Sequence, residues 1–230
     1  MKTIKELKEE SLGVLKGKWS KIVSVFFVYS IIVILLRSIG NPESKDISIV
    51  IMSAIASIIA LIINPALLFG FNMYSLKFSR NQEVEFNSFF DGFKYFRKAF
   101  NTYYLRSIYT FLWSLLLIIP GIIKSISYSQ TLFILSDNKD LSANEAITKS
   151  MEMMDGYKMK YFQLQLSFIG WVILGILTLG IGYLWLAPYI YVSNAKFYED
   201  LKNSQSNKIS SEESVEEGKV EQSIEQPIVA

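Results

Sequence analysis

Ile118–Gln130 reads IIPGIIKSISYSQ. It opens as an apolar run, breaks at Pro120-Gly121, and then carries a lysine, three serines, a tyrosine and a glutamine. Leu105–Ile119 and Ile122–Ser136 flank the break with 15 residues each. Each would make about 22 Å of helix, and the two joined about 48 Å. A hydrocarbon core is about 30 Å thick. Either segment is short for a crossing and the sum is long. So Pro120-Gly121 is either the tip of a helical hairpin or a kink in one long helix.

Charge separates the two. Loops on the cytoplasmic side of a membrane are enriched in Lys and Arg. A hairpin gives six spans with both termini cytoplasmic, and puts 20 of the 23 Lys and Arg inside, with Arg37, Lys45 and Lys124 outside. A single kinked helix gives 12 inside and 11 outside. The sequence therefore predicts the hairpin. Lys124, one turn past the tip, is expected to snorkel to the outer headgroups. The Ser125–Gln130 hydroxyls and amides are expected to bind neighbouring helices.

The rest of the chain fits an all-α integral membrane bundle. Apolar residues make up 51% of 230, and the mean hydropathy is +0.30. Ile22–Leu36 and Ile47–Phe71 contain no charge. The expected spans are 22–39, 47–71, 104–120, 121–136, 160–178 and 180–199, within a membrane domain over 22–200. Residues 1–21 read as a cytoplasmic amphipathic segment opened by a Thr3/Glu6 capping box. They end at Trp19 among Lys16, Lys18 and Lys21, an interface composition. No cleavable signal peptide is evident. Residues 201–230, rich in Ser, Glu, Gln and Lys, are expected to be a disordered acidic cytoplasmic tail.

Two further stretches read as helices in the interface plane. In 86–101 an aromatic stripe joins Phe86, Phe89, Phe93, Phe96 and Phe100 at helical spacing. In 142–157 a Ser142/Glu145 capping box opens a helix with Ile147, Met151 and Met154 on one face. Pro65, Pro120-Gly121 and Pro188 are expected helix breaks. Asp91-Gly92-Phe93-Lys94 and Asp155-Gly156-Tyr157-Lys158 open two similar units. Each continues through a tryptophan (Trp113, Trp171), a glycine-containing break and a tyrosine (Tyr128, Tyr189) to an aspartate (Asp137, Asp200). This suggests an internal repeat.

Leu15–Trp19 (LKGKW), Pro65–Phe71 (PALLFGF), Leu112–Asp137, Ser150–Lys158 (SMEMMDGYK) and Leu166–Leu174 (LSFIGWVIL) resemble a bacterial multi-pass membrane family named domain of unknown function 975. The resemblance covers about residues 1–200. It implies an integral protein of the bacterial cell membrane and brings no catalytic residues.

Histidine and cysteine are absent, which excludes Ser-His-Asp and Cys-His nucleophiles, thiolate metal sites and CxxC redox chemistry. Asp91, Asp137 and Asp155 are expected to cap helices or pair with nearby lysines. The expected function is non-enzymatic and without a cofactor or metal: a membrane scaffold, or a protein that works on lipid or a partner. The expected partners are anionic headgroups on the cytoplasmic side, with a membrane-protein partner or second copy also open. A net charge of +2 gives no basic domain for nucleic acid. The alternative is a small transporter with a polar site formed by Lys124, Ser127, Tyr128, Gln130 and Asn64.

Overall fold

A computed structural model describes residues 1–38 and 46–224. Every regular element among them is helical. α1 (Ile4–Leu15) starts at Thr3, whose hydroxyl accepts from the Glu6 N–H while the Glu6 carboxylate accepts from the Thr3 N–H. α2 (Trp19–Ser38) and α3 (Ile47–Ser79) follow, the latter capped by Asp46, which accepts from the Ser48 N–H.

α3 continues 33 residues without interruption, past the predicted span and through Pro65. Proline removes the N–H that would bond the Leu61 carbonyl, four residues back. The Tyr104 hydroxyl donates to that carbonyl at 2.7 Å. A side chain from another helix thus fills the gap, and Pro65 does not break α3. Pro188 likewise lies inside a helix.

The aromatic stretch is not one interfacial helix. It forms a 3-10 turn (Phe86–Phe90), the short α4 (Asp91–Lys94), and a break at Tyr95 before α5 (Phe96–Leu116). Close approach to α3 forces this. A Cβ on Gly92 would lie 2.1 Å from the Ala66 carbonyl and 2.6 Å from the Gly70 nitrogen. Phe89 is fully buried there, edge-on to Tyr29, while Phe86 and Phe93 are exposed. Phe96, Phe100 and Tyr104 make tilted ring contacts in series along α5.

α5 turns into α6 (Ile118–Ser127) at Leu117, the one residue between them in extended conformation. The tip therefore lies three residues before Pro120. Pro120 occupies the first turn of α6, where a helix has no use for its N–H. Trp113 meets Lys124 and Tyr109 meets Tyr128, as in an antiparallel pair. A Cβ on Gly121 would come within 2.2 Å of Ser114 Oγ, so only glycine lets the arms close this tightly. The hairpin, not the kinked helix, is what forms.

The returning arm is interrupted at Tyr128–Gln130 and resumes as α7 (Thr131–Asp137). α8 (Ala143–Met153) carries the Ser142/Glu145 capping box and ends short of the predicted 157. α9 (Lys158–Leu166) and α10 (Ile169–Leu177) form the rising arm of a second hairpin, and α11 (Tyr183–Ile224) the returning arm. Gln165 bonds Asn194, Phe168 meets Tyr189, and Gly175 meets Tyr183. α11 extends well beyond the predicted span at 199. A helix already nucleated propagates cheaply, and no proline lies between 188 and 227. Residues 201–224 are therefore helical where composition suggests disorder, and 225–230 fall outside the described residues.

The two ends of the molecule differ in character. At one, Leu67–Phe78, Leu132–Leu135, Ala146–Met154 and Val192–Leu201 build a closed core. Arg80 ties it together, donating to Asp137 at 2.8 Å and Glu199 at 2.6 Å, while Lys202 donates to Asp137 at 2.7 Å. At the other, large apolar side chains stand exposed on α2, α3 and both hairpins, up to 94% for Leu179. Among the described residues, four stretches are long and apolar enough to cross a membrane: Trp19–Leu36, Ile47–Ser79, Ile118–Asp137 and Lys158–Leu177.

Replacing Tyr104 with Phe should lower stability by about 1 kcal/mol, the usual net worth of a hydrogen bond. In a Pro65→Ala background the effect should shrink, because the alanine supplies its own N–H to the Leu61 carbonyl. Thermal unfolding of the two single variants and the double checks this; equal losses in both backgrounds would contradict it.

Candidate functional site

The predicted polar site does not assemble. Asn64 lies on α3, where its amide oxygen accepts from the Tyr29 hydroxyl at 3.3 Å. It is apart from the Ser127–Gln130 break, whose polar groups serve the backbone. Ser150 of α8 inserts its hydroxyl there, donating to the Ser127 carbonyl at 2.7 Å and accepting from the Gln130 N–H at 3.2 Å. Tyr128 is buried beside Trp113 and Tyr109. Gln130 is fully buried; its amide donates to Ser129 Oγ at 2.8 Å, and its oxygen has no partner.

Lys124 does not point toward the tip. Its ammonium sits 4.8 Å from the centre of the Trp113 ring and 3.9 Å from the sulfur of Met151 on α8. A cation over an indole face is held by the ring quadrupole. α8 is a polar helix, and these contacts place Lys124 beside it rather than at the turn between the arms.

A different residue dominates the polar interior. Arg106, in the middle of α5, lines a cleft of about 610 Å³ between the first hairpin and α9. Ser107, Thr110 and Ser114 form one wall, Ser125 and Ser129 the second, and Tyr161 with Gln165 the third. Arg106 also lines a smaller cavity of about 140 Å³ behind it, with Asn72, Tyr191 and Asn194. Neither space has an Asp or Glu in its wall. Among the described residues the guanidinium makes no ion pair or hydrogen bond. Every other feature of the cleft is a hydroxyl, an amide or an apolar surface.

The aspartates behave differently. Asp91 pairs with Lys94 at 2.7 Å and Lys77 at 3.7 Å, and Asp155 with Lys158 at 3.1 Å. The Lys94 bond holds the Asp91 carboxyl below the usual carboxylate range, against burial, which raises it. Its contribution to stability is present above the ordinary carboxylate pKa and lost as pH falls through the lowered one. Among the described residues no group of acidic side chains gathers to hold a metal.

Trp19 lines an apolar groove of about 830 Å³ with Trp171 and Trp185, between α1 and the second hairpin. Lys8 spans its edge, donating to the Ser167 carbonyl at 3.1 Å and lying over the Phe168 ring.

Sequence reasoning missed Arg106 because it counts among the cations flanking the aromatic stretch. The signal was its distance from the hairpin tip. It stands eleven residues before Leu117 on a helix that begins at Phe96, and is flanked by Tyr103, Tyr104, Ser107 and Thr110. Ser150→Ala should destabilise the fold by about 1–3 kcal/mol, since it strands a buried carbonyl and a buried N–H together. Urea unfolding in detergent measures this; a neutral substitution would show that the break holds without its staple.

A family model described as Protein of unknown function (DUF975) matches residues 1–127 and 115–205. No curated protein and no solved structure matches the chain. With the matched ranges running from the first residue through both hairpins, the chain belongs to the DUF975 family.

Proposed function

We propose that this is a non-enzymatic, multi-pass membrane protein whose two hairpins act as wedges in one leaflet of the bilayer. The observation that carries the reading is the shortness of the hairpins above a common polar level. Tyr109 donates to Asn144 of α8, and Lys124 reaches Met151 of the same helix. From Tyr109 to Leu117 is about 12 Å of helix. In the second hairpin, Ser167 and Tyr189 contact Lys8 of the polar helix α1. From Ser167 to Leu177 is about 15 Å. By contrast α2 runs about 26 Å from Lys21, whose carbonyl accepts from Tyr74, to Ser38. A leaflet's hydrocarbon is about 15 Å thick and the whole core about 30 Å.

The tips suit hydrocarbon and not water. Neither Ser114–Ile123 nor Ser167–Leu186 contains a charge. Leu117, Ile118, Leu177 and Leu179 are all mostly exposed. In lipid a turning backbone must satisfy itself. The second tip does so: each N–H from Thr178 to Leu186 has an acceptor within the turn, the Gly182 N–H using the Thr178 hydroxyl.

In this reading all six segments enter the membrane. α2 and α3 cross it, while the hairpins enter from the cytoplasmic side and turn back inside. Both termini, α8 and the Arg80 network are cytoplasmic. Lys124 then joins the inner cations, which strengthens the charge bias. Matter added to one leaflet bends or stresses a bilayer, and anionic lipid is the partner of the cytoplasmic lysines. The absence of His and Cys supports a role without covalent or metal chemistry.

The chain has no native cysteine, which makes the topology directly testable. Introduced singly, Ser48→Cys should react with an impermeant maleimide from outside, and Asp140→Cys only after the membrane is opened. Leu117→Cys and Leu179→Cys should resist in both conditions. Labelling of either tip from outside would turn the wedges into ordinary spans. In vesicles, added protein should favour high curvature, and Leu117→Asp with Leu179→Asp should abolish the effect; vesicles that keep their size with the native protein would overturn the wedge role.

A further inference from the structure

We infer that the Arg106 cleft is a binding site for a phosphate oxyanion. A guanidinium that makes no ion pair among the described residues is costly to place beside apolar helices, and such residues pair or face a cavity that serves function. Arg106 faces two cavities and no carboxylate. Its planar fork matches the two oxygens of a phosphate, and Ser129, Tyr161 and Gln165 line the same cleft to complete the shell. A carboxylate in the wall would have repelled such a guest, and there is none.

The depth of the site indicates where the phosphate comes from. Arg106 shares its smaller cavity with Asn72 and Asn194. Asn72 lies two residues before Tyr74, which bonds the Lys21 carbonyl at the base of α2. That is the headgroup level of the leaflet the hairpins occupy. Tipward of Arg106, Phe111 and Ile126 add an apolar strip to the cleft wall beside Ser114 and Ser125, a surface for acyl chains. An anionic lipid would therefore seat its phosphate on Arg106 and run its tails along the hairpin. This lipid source rests on the wedge reading; the oxyanion chemistry at Arg106 does not.

The full chain in neutral detergent, followed by thermal unfolding, separates the possibilities. Phosphatidylglycerol added to the micelles should raise the midpoint of the native protein. Arg106→Gln should lose the rise, Arg106→Lys should keep a smaller one, and Lys124→Gln should retain all of it. Inorganic phosphate is the second probe. An Arg106-dependent rise with phosphate alone supports the site and assigns it to a free anion; a rise with the lipid alone supports it and assigns it to a headgroup. No rise with either probe, or a full rise in Arg106→Gln, overturns the proposal. Should Arg106→Gln fail to fold, Ser125→Phe, which fills the mouth of the cleft, should remove the rise while leaving Arg106 in place. A full rise in Ser125→Phe would count against the cleft. Because this measurement is made without a bilayer, it can succeed where the tip labelling fails, and the reverse.

Discussion

Hydrocarbon offers no hydrogen-bond partner to a polypeptide that turns inside it. In the proposed wedge reading both hairpins turn under that constraint. The first turns through a single extended residue, and Pro120 removes one of the amides that its second arm would otherwise leave open. Gly121 lets the arms touch, and the Leu117 N–H and carbonyl both find backbone partners. The second tip is longer, and solves the same problem with left-handed residues at Leu179 and Gly180 and a threonine hydroxyl that both accepts and donates. The same economy explains Tyr104, which occupies the carbonyl that Pro65 leaves free in α3.

Away from the hairpin tips the helices pack around a closed core. That core closes around Phe69, Tyr74, Phe133, Phe168 and Phe197, and charges pair across helix ends. Arg80 with Asp137 and Glu199 ties the ends of α3 and α7 to the middle of α11. Ser150 joins α8 to the break in the first hairpin. The hairpins thus stand on a closed, ion-paired base, as the proposed wedge would need. Arg106 sits where base and hairpin meet.

The helical character, the capping boxes at Thr3 and Ser142, and the hairpin between residues 105 and 136 were legible in the sequence, because each rests on local chemistry or on charge counting. The position of the tip was not. Pro120-Gly121 looks like a turn, but proline is at home in a first helical turn and glycine marks the contact between arms. The aromatic stretch misled for another reason. Its spacing is helical, yet the crossing of Gly92 over Gly70 breaks the helix, and no periodicity reports a backbone contact with a distant segment. Lys124 and the Ser127–Gln130 run read as a site because polar groups in an apolar stretch attract attention. Their partners, Trp113, Met151 and Ser150, come from other helices. Arg106 hid among like charges. Its isolation from carboxylates is a property of three dimensions only.

The depth of the two tips tests the account most directly. Nitroxide labels at residues 117 and 179, placed in a bilayer and read by collision with oxygen and with a nickel chelate, report depth at each site. The account predicts strong oxygen and weak nickel collisions at both, with depths near the bilayer centre. Nickel collisions at either tip as strong as those of a label at residue 48 would place it in outer water and contradict the account.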